Sequence, residues 1–509
     1  MSRGSLVAAI DQGTTSTRCL IFDHGGGIVG SAKAEHAQLT PRPGWLEHDP
    51  LEIWANTCAV IERALSLARA SGGDLAAVGI TNQRETTLLW DPVTGLPLYN
   101  AIVWQDARTD EICRKLAEKD SIDRFRRQTG LPLSTYFSAP KLKWLLDNAS
   151  GAAKAAAGGR VLFGTMDSWL IWNLTGGSRG GKHVSDVTNA SRTMLMDLAT
   201  LNWSAELLDA FGVEEGLLPE IRPSSDPFYY GLTCREGPFK AEIPVCAALG
   251  DQQAALVGQA CLNPGEAKNT YGTGCFLLMN VGEAPPASKN GLLSTVAYKF
   301  GNGKAVYALE GSVAVAGSAV QWLRDNLGII KNSGDIEALA ASVPDNGDVY
   351  FVPAFSGLLA PHWQSDARGA ILGLTRHSTA AHLARATLEA VAYQTLDVIA
   401  AMEADSGKKL KVLKADGGMV ENRFFMQLVA DILDAGVVRP ASFESTALGA
   451  AFAAGLANGF WSDPCEITTL WQKGEEWAPS GDRLLHAANY KKWRKALTKA
   501  AGWATSGEV

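Results

Sequence analysis

Residues 11–18, Asp-Gln-Gly-Thr-Thr-Ser-Thr-Arg, form the stretch of sequence that decides the fold. Short apolar runs at 6–10 and 19–22 flank it, and they predict two strands joined by a tight polar turn. Gly13 permits a bend in which several backbone N–H groups point to one spot, and such a nest binds anions. The pattern therefore favours a phosphate-binding turn, with an ordinary polar hairpin turn as the alternative.

The side chains of this turn are suited to a polyphosphate. Thr14, Thr15 and Ser16 supply hydroxyl donors, and Arg18 can add a charge-assisted contact to phosphate. Asp11 ends the first predicted strand, where its carboxylate can hold Mg²⁺ through water.

Two further glycine turns occur in the second half of the chain. Residues 270–275, Thr-Tyr-Gly-Thr-Gly-Cys, predict a second hairpin turn that would clamp a polyphosphate from the opposite side. Residues 416–422, Asp-Gly-Gly-Met-Val-Glu-Asn, lie between a predicted strand and a predicted helix, where backbone can approach a flat ligand closely. Asn422 is suited to bind a base or ribose, although a helix cap is the simpler interpretation.

A set of polar and aromatic residues in the first half is suited to hydroxyl groups. Arg84 and Glu85 follow a predicted buried strand, and an arginine that donates beside a glutamate that accepts can pair with a polyol. A solvated turn is the alternative. Trp104 stands among charged neighbours in Trp-Gln-Asp-Ala-Arg, which favours the edge of a cleft over a core position.

Asp251 is the carboxylate best placed for catalysis. It ends a predicted strand near the expected domain boundary, so it should lie at the cleft. A carboxylate there can accept the proton of an attacking hydroxyl during in-line phosphoryl transfer. A helix N-cap is the alternative role.

Length and composition limit the classes of protein. The chain has 509 residues, more than one core of about 250–300 residues accommodates, so two domains are expected. Lys plus Arg is 46 and Asp plus Glu is 53, and a net charge of −7 argues against nucleic-acid binding. No stretch approaches the length of a membrane span, no signal peptide is evident, and the eight cysteines fit a reducing compartment, so a cytoplasmic protein is predicted.

Helical spacing of apolar residues predicts helices over 51–70, 313–327, 382–403 and 422–433.

Nine motifs occur in the order found in one enzyme family. They are DQGTTSTR, GWLEHDP, GITNQRET, NAIVWQDAR, GDQQAA, KNTYGTGCF, YALEG, ADGGMVEN and TALGAA, and they run from about residue 6 to about residue 462. The set resembles that of the FGGY carbohydrate kinases, and among them the members that act on glycerol. The resemblance implies an α/β fold with two ribonuclease-H-like domains of the actin/hexokinase type facing a central cleft. We expect an N-terminal domain over 1–255, for polyol and phosphate, and a C-terminal domain over 256–509, for nucleotide.

The resemblance also implies roles for single residues. Asp251 would be the general base, and the polyol pocket would be lined by Arg84, Glu85, Trp104, Tyr136, Asp251, Gln252 and Phe276. The nucleotide would be held by Thr14, Thr15, Ser16, Arg18, Thr273, Gly317, Gln321, Gly418 and Asn422.

The implied function is ATP-dependent phosphorylation of glycerol to sn-glycerol 3-phosphate, with Mg²⁺ and with ADP as the second product. The implied assembly is a homodimer or homotetramer. Two alternatives stay open: a kinase of another small polyol or sugar, and a non-catalytic nucleotide-binding regulator that has kept the fold. Loss of Asp11 or Asp251 would mark the regulator, and both are present.

Overall fold

Two mixed β-sheets organise the chain, one in each half. The structure is a computed structural model that describes residues 4–441 and 444–504. Its elements in the first half are β1 (Leu6–Gln12), β2 (Ser16–Phe22), β3 (Ile28–Glu35), β4 (Glu47–His48), α1 (Pro50–Ala68), β5 (Leu75–Asn82), β6 (Leu88–Trp90), β7 (Ala101–Ile102), α2 (Asp110–Ala117), α3 (Arg126–Thr129), α4 (Ser138–Asn148), α5 (Ala152–Ala157), β8 (Leu162–Gly164), α6 (Met166–Leu174), β9 (Val184–Asp186), α7 (Val187–Ala190), β10 (Met196–Asp197), β11 (Asn202–Trp203), α8 (Ala205–Phe211), β12 (Glu220–Arg222), β13 (Gly231–Leu232), β14 (Pro244–Gly250) and α9 (Asp251–Gly258).

The second half contains fewer and longer elements. They are β15 (Glu266–Tyr271), β16 (Cys275–Gly282), β17 (Leu293–Tyr298), β18 (Val306–Val313), α10 (Gly317–Asp325), α11 (Asp335–Ala341), β19 (Tyr350–Val352), β20 (Ala370–Leu372), α12 (Ala380–Ser406), β21 (Val412–Asp416), α13 (Arg423–Leu433), β22 (Val437–Pro440), α14 (Ser445–Asn458), α15 (Pro464–Leu470), β23 (Lys473–Trp477) and α16 (Arg483–Ala500).

The two sheets repeat one topology. In the first, β1, β2 and β3 form an antiparallel meander, while β5 and then β14 join parallel on the other side of β1. In the second, β15, β16 and β18 form the meander, and β21 and β22 join parallel beside β15. Each sheet therefore presents a hairpin turn, between its first two strands, at the same edge as the ends of its parallel strands.

Helices α9 and α14 pack closely against each other between the sheets. Side chains of both belong to one buried cluster, which also contains residues of β1, β5, β14 and β16. Glycine makes the approach possible, because a Cβ on Gly449 of α14 would overlap the carbonyl oxygen of Ala254 in α9. Because α9 begins at Asp251, this packing fixes the position of that carboxylate.

The predicted elements agree with the structure, with one clear error. Three of the four predicted helices appear as α1, α12 and α13, with ends shifted by a few residues. The helix predicted over 313–327 begins too early, because β18 continues to Val313 and α10 begins only at Gly317. Of the apolar run 313–316, only Val313 belongs to β18, and residues 314–316 connect the strand to α10. A short apolar run does not distinguish a strand from a helix.

Two whole-chain features bear on the setting of the protein. Among residues 4–441 and 444–504, no helix is both long enough and apolar enough to cross a membrane. All eight cysteines lie in the described part of the chain and are unpaired.

Candidate active site

A backbone hydrogen bond from a glycine closes each of the two hairpin turns. In the first turn, Gly13 N–H donates to the carbonyl oxygen of Ser16 at 2.8 Å, and Thr15 is exposed. In the second turn, Gly272 N–H donates to the carbonyl oxygen of Gly274 at 2.9 Å, and Thr273 is exposed. Each turn leaves its hydroxyls accessible, as phosphate binding requires.

Arg18 and Asp11 form an ion pair beside the first turn. Arg18 donates to Asp11, and its second nitrogen lies 2.6 Å from Glu444 of the second half. About a third of the Arg18 side chain is exposed, so it still faces solvent. Burial raises the pKa of Asp11, Arg18 opposes this, and the nearby Asp251 raises it again. The predicted phosphate-binding cation is therefore shared with two carboxylates.

Arg84 and Glu85 are buried, so the solvated turn is the wrong alternative for them. They follow β5, and Glu85 adopts a left-handed backbone with φ of 62°. Ser138 and Thr87 hold its carbonyl oxygen at 3.0 and 2.8 Å. A non-glycine residue in this region is strained, and such strain concentrates at functional sites.

Arg84 and Glu85 belong to a buried charge cluster whose other members the sequence did not reveal. Glu310 of β18 accepts two bonds from Arg84, at 2.5 and 3.0 Å, and one from Arg192 at 3.3 Å. Arg192 also donates to Glu85 at 2.7 Å. Glu310 is the glutamate of the YALEG motif, but no role was predicted for it, and Arg192 lies outside the nine motifs. Their partners are 107 to 226 residues away in the chain.

Asp251 stands at the edge of this cluster. Its Oδ1 lies 3.3 Å from Arg84 Nε and accepts the backbone N–H of Gln252 at 2.7 Å. About 31% of its side chain is exposed, whereas the side chains of Arg84 and Glu310 are almost fully enclosed. The N-cap position of α9 belongs to Gly250, so the helix N-cap alternative for Asp251 is wrong, although Asp251 accepts the N–H of the next residue in the first turn.

Aromatic side chains form the wall beside Asp251 and Arg84. The Trp104 ring lies 5.4 Å from Tyr136 and 6.2 Å from Phe276, both edge to face. Trp104 Nε1–H donates to Thr14 Oγ1 at 3.0 Å. One indole thus connects the aromatic wall with the first phosphate turn.

Gln252 contacts the second sheet. Its amide oxygen accepts from Lys268, a fully buried lysine of β15 that also donates to Thr270 Oγ1 at 3.0 Å. Burial lowers the pKa of Lys268 although Asp416 and Asp251 oppose it. Lys268, the first residue of the KNTYGTGCF motif, is a further residue near the proposed reacting groups, and no role was predicted for it.

A cavity of about 460 Å³ opens beside the second turn. Asn422 caps α13 through its side-chain oxygen, at 2.7 Å from Phe425 N, and also lines this cavity. The cap and ligand interpretations are therefore compatible. The predicted nucleotide residues that line the cavity are Thr273, Gly317, Gln321, Gly418 and Asn422, whereas Thr14, Thr15, Ser16 and Arg18 lie at the first turn.

The acidic residues between the turns fit a magnesium–phosphate group. Mg²⁺ usually keeps several waters and binds one or two carboxylates together with substrate phosphates. Asp11 and Asp251 lie close enough to interact, and Asp416 Oδ1 is buried without a hydrogen-bond partner among the described residues. Within those residues no group of three or more His, Cys, Asp or Glu side chains is arranged to hold a metal.

Two repeated sheets, each with a polar hairpin turn at a shared cleft, define a carbohydrate kinase of the actin/hexokinase class. Residues 6–258 match the N-terminal domain, and residues 267–458 the C-terminal domain, of the FGGY family of carbohydrate kinases. The chain belongs to this family, and the expected α/β fold with two such domains is confirmed.

Named relatives are similar over nearly the full length. The chain is 59% identical to a glycerol kinase of Mycobacterium tuberculosis, over 98% of this chain and 96% of the relative. It is 58% identical to a glycerol kinase of Chloroflexus aurantiacus, over 97% of this chain and 99% of that one. The structure resembles that of Plasmodium falciparum glycerol kinase with ADP, with a TM-score of 0.92, 38% identity, and coverage of 97% and 98%.

Proposed function

We propose that this chain is a kinase that transfers the γ-phosphate of ATP to a terminal hydroxyl of glycerol, giving sn-glycerol 3-phosphate and ADP. Its similarity to glycerol kinases at 57–59% identity over nearly the whole chain supports this substrate. The similarity to the structure of Plasmodium falciparum glycerol kinase with ADP supports an adenine nucleotide as the second ligand.

The observation that carries the proposal is the position of Asp251. Its carboxylate contacts Arg84 on one side and lies close to Asp11 of the phosphate turn on the other. Trp104 also connects the first turn with the aromatic wall, because it donates to Thr14 and contacts Tyr136 and Phe276. A triol beside the aromatic wall would place one hydroxyl between Asp251 and the incoming phosphate.

The geometry suggests how each side chain acts. Arg84 and Glu85 can pair with glycerol hydroxyls, while Trp104 and Phe276 cover its carbon edge. Asp251 accepts the proton of the attacking hydroxyl, whose oxygen forms a bond to the γ-phosphorus as the bond to ADP breaks. A site built from paired polar groups disfavours analogues that leave those groups unmatched.

Asp11 is the residue that we propose for Mg²⁺. When bound, the cation would neutralise charge on the phosphates. Arg18 and the turn residues Thr14, Thr15 and Ser16 would orient the same phosphates by donating hydrogen bonds. The nucleotide would occupy the cavity lined by Gly317, Gln321 and Gly418.

An ADP-release assay across a panel of polyols tests the proposed function. Glycerol should give the highest kcat/KM, ahead of erythritol, xylitol and pentuloses, and the product should be glycerol 3-phosphate. Faster turnover of another polyol would support the alternative sugar kinase. Binding of ATP without any phosphorylated product would support the non-catalytic regulator.

We further propose the division into domains 1–255 and 256–509. The gap between the two family matches, from 258 to 267, supports a boundary close to this position. Helix α14 crosses this division, because it belongs to the second half of the chain but packs on strands of the first sheet. Limited proteolysis followed by mass spectrometry would locate the boundary.

Assembly and location complete the proposal. We propose a homodimer or homotetramer in the cytoplasm. Exposed apolar side chains on the second half, Phe355, Leu359 and Trp363, are suited to a contact between copies. Eight unpaired cysteines fit a reducing compartment. Light scattering coupled to size-exclusion chromatography would measure the assembly directly.

A further inference from the structure

Glu310 is a fully buried carboxylate that none of the roles above uses. It lies on β18 of the second sheet, while its partners Arg84 and Arg192 come from the first half of the chain. We propose that Glu310 is a positioning residue that locks the two halves together around the polyol and aims Arg84 at it. This inference rests on the proposed function insofar as the polyol is the ligand so enclosed.

The hydrogen bonds of Arg84 show what the lock does. Glu310 takes both terminal nitrogens of Arg84, at 2.5 and 3.0 Å, in the fork geometry that fixes a guanidinium plane. Nη1 also donates to Gln253 Oε1 at 3.3 Å, and Nε lies 3.3 Å from Asp251 Oδ1. Without Glu310, the guanidinium keeps only these longer contacts, and its orientation relative to Asp251 is held less firmly.

The same carboxylate also fixes the second arginine. Arg192 donates from Nη2 to Glu310 at 3.3 Å and from Nε to Glu85 at 2.7 Å. Its guanidinium lies 5.7 Å from the centre of the Tyr136 ring. Through Arg192, the position of Glu310 therefore determines those of Glu85 and Tyr136, two proposed polyol contacts.

The strand that carries Glu310 also supports the aromatic wall. In the pairing of β16 with β18, Glu310 is opposite Leu278, and Phe276 is opposite Ser312. Glu310 and Phe276 thus reach the polyol pocket from the same part of the second sheet. Separation of the two halves would break the Arg84 and Arg192 bonds and withdraw Phe276 in one movement.

Glu310 is ionised at any pH at which the protein works. Burial alone would raise its pKa, but Arg192 and Arg84 outweigh burial and lower the pKa to about 2. A neutral replacement of the same shape therefore removes a real charge.

The test compares Glu310→Gln with a matched control, Glu389→Gln. Glu389 is also a buried glutamate of the second half, held by Arg385 at 2.9 Å and Asn346 at 2.7 Å, but it contacts no proposed site residue. For Glu310→Gln we expect KM for glycerol to rise about 10- to 100-fold, because the substitution removes a charged hydrogen bond. KM for ATP should stay within about twofold. Glu389→Gln should change neither KM.

Hydrogen exchange of the ligand-free protein gives a readout that does not depend on the substrate. Amides in 80–86 and 188–194 should exchange faster in Glu310→Gln than in wild type, and should be unchanged in Glu389→Gln. If wild type fails to phosphorylate glycerol, the proposed function falls, and this exchange comparison alone decides the lock.

The Glu310→Asp variant keeps the test open if Glu310→Gln does not fold. It retains the charge on a shorter side chain, so part of the glycerol affinity should return. Unchanged glycerol KM together with unchanged exchange would overturn the inference. An equal rise in both KM values that follows a loss of thermal stability would also overturn it, because that is the effect of a purely structural residue.

Discussion

The two ends of the cleft are built from different chemistry. At the polyol end, Arg84, Glu85, Arg192 and Glu310 are buried and pair with one another. At the nucleotide end, the cavity is lined by glycines, by a helix cap and by exposed side chains such as Gln321. The first is a rigid polar network, and the second is an open surface shaped largely by backbone.

This difference fits what each end is proposed to bind. A triol is small and offers only hydroxyl groups, so selectivity requires fixed charges that would stay unpaired with a wrong ligand. A nucleotide is large and carries its own charge, so backbone N–H groups and close approach of glycine are sufficient. Substitutions at the two ends should therefore change different kinetic parameters.

The largest effect is expected for Asp251→Asn. Loss of a general base lowers kcat by about 10²–10⁴-fold, while nucleotide affinity should change little because the cavity lies at the other end. Rapid-quench assays and titration with a fluorescent ATP analogue measure the two quantities. Asp463→Asn is the control, since Asp463 caps α15 far from the cleft. A near-normal rate in Asp251→Asn would contradict its role as the base.

At the opposite end, Gly418→Ala should affect only the nucleotide. A Cβ at Gly418 meets no protein atom within 4 Å, so the fold tolerates it, but it projects into the cavity that ATP would fill. We expect KM for ATP to rise about 10-fold, as overpacking predicts, with KM for glycerol unchanged. Gly436→Ala also meets nothing within 4 Å and serves as the control. Equal changes in both KM values would remove the distinction between the ends.

Acid should lower the free energy of unfolding through a buried histidine of the first half, His48. His48 accepts from Gln83 at 3.2 Å and contacts Gln38 at 3.0 Å, beside the first turn. Burial, and then the nearby His36, lower its pKa to about 3, below the value of 6.5 for an unfolded chain. The unfolded state therefore binds the proton more tightly, and stability present above pH 6.5 is lost as pH falls toward 3.

The expected slope from this one group averages about 1 kcal/mol per pH unit between pH 5 and 7, and it approaches about 1.4 kcal/mol per pH unit only below about pH 5.5. Urea unfolding between pH 5 and 7, followed by fluorescence, measures it, and His48→Gln should remove that part of the slope. Among the described residues that line the nucleotide cavity there is no histidine. An unchanged slope in His48→Gln would mean that His48 is not held neutral.

The smallest effect is expected for Trp104→Phe, which disconnects the two ends. The variant keeps an aromatic face toward Tyr136 but loses the bond from Nε1 to Thr14. One neutral hydrogen bond is worth a factor of about three to ten, and because it joins both ends we expect both KM values to rise. Trp322→Phe, outside this wall, should have no such effect. A change in only one KM would show that the ends are not linked through this indole.

The comparison also shows how far the sequence could predict the site. The two hairpin turns, the strand before Arg84 and the carboxylate at the start of α9 are local features, so glycine positions and apolar runs were enough to predict them. The predicted roles of the site residues remain predictions. Local signals were strongest at the nucleotide end, where short turns contain most of the residues.

The buried network was not predictable in the same way. Glu310 lies in the YALEG motif and Arg192 lies outside the nine motifs, but neither shows its partner until the fold brings them to Arg84 and Glu85. Lys268 likewise reveals its role only through its contact with Gln252. The helix predicted to start at 313 began too early for a related reason, since Val313 pairs with Cys275 of β16 as the last residue of β18. Long-range pairing determines these features, and a local pattern contains no record of it.

A crystal structure with glycerol and a non-hydrolysable ATP analogue tests the central claim most directly, because it locates both ligands relative to residue 251. We predict that one oxygen of Asp251 lies within hydrogen-bond distance of a terminal glycerol hydroxyl, about 2.6–3.2 Å, with the γ-phosphate on the far side of that hydroxyl. Glycerol bound away from Arg84 and Asp251 would contradict the proposed cleft. A γ-phosphate that does not face the glycerol hydroxyl would contradict it as well.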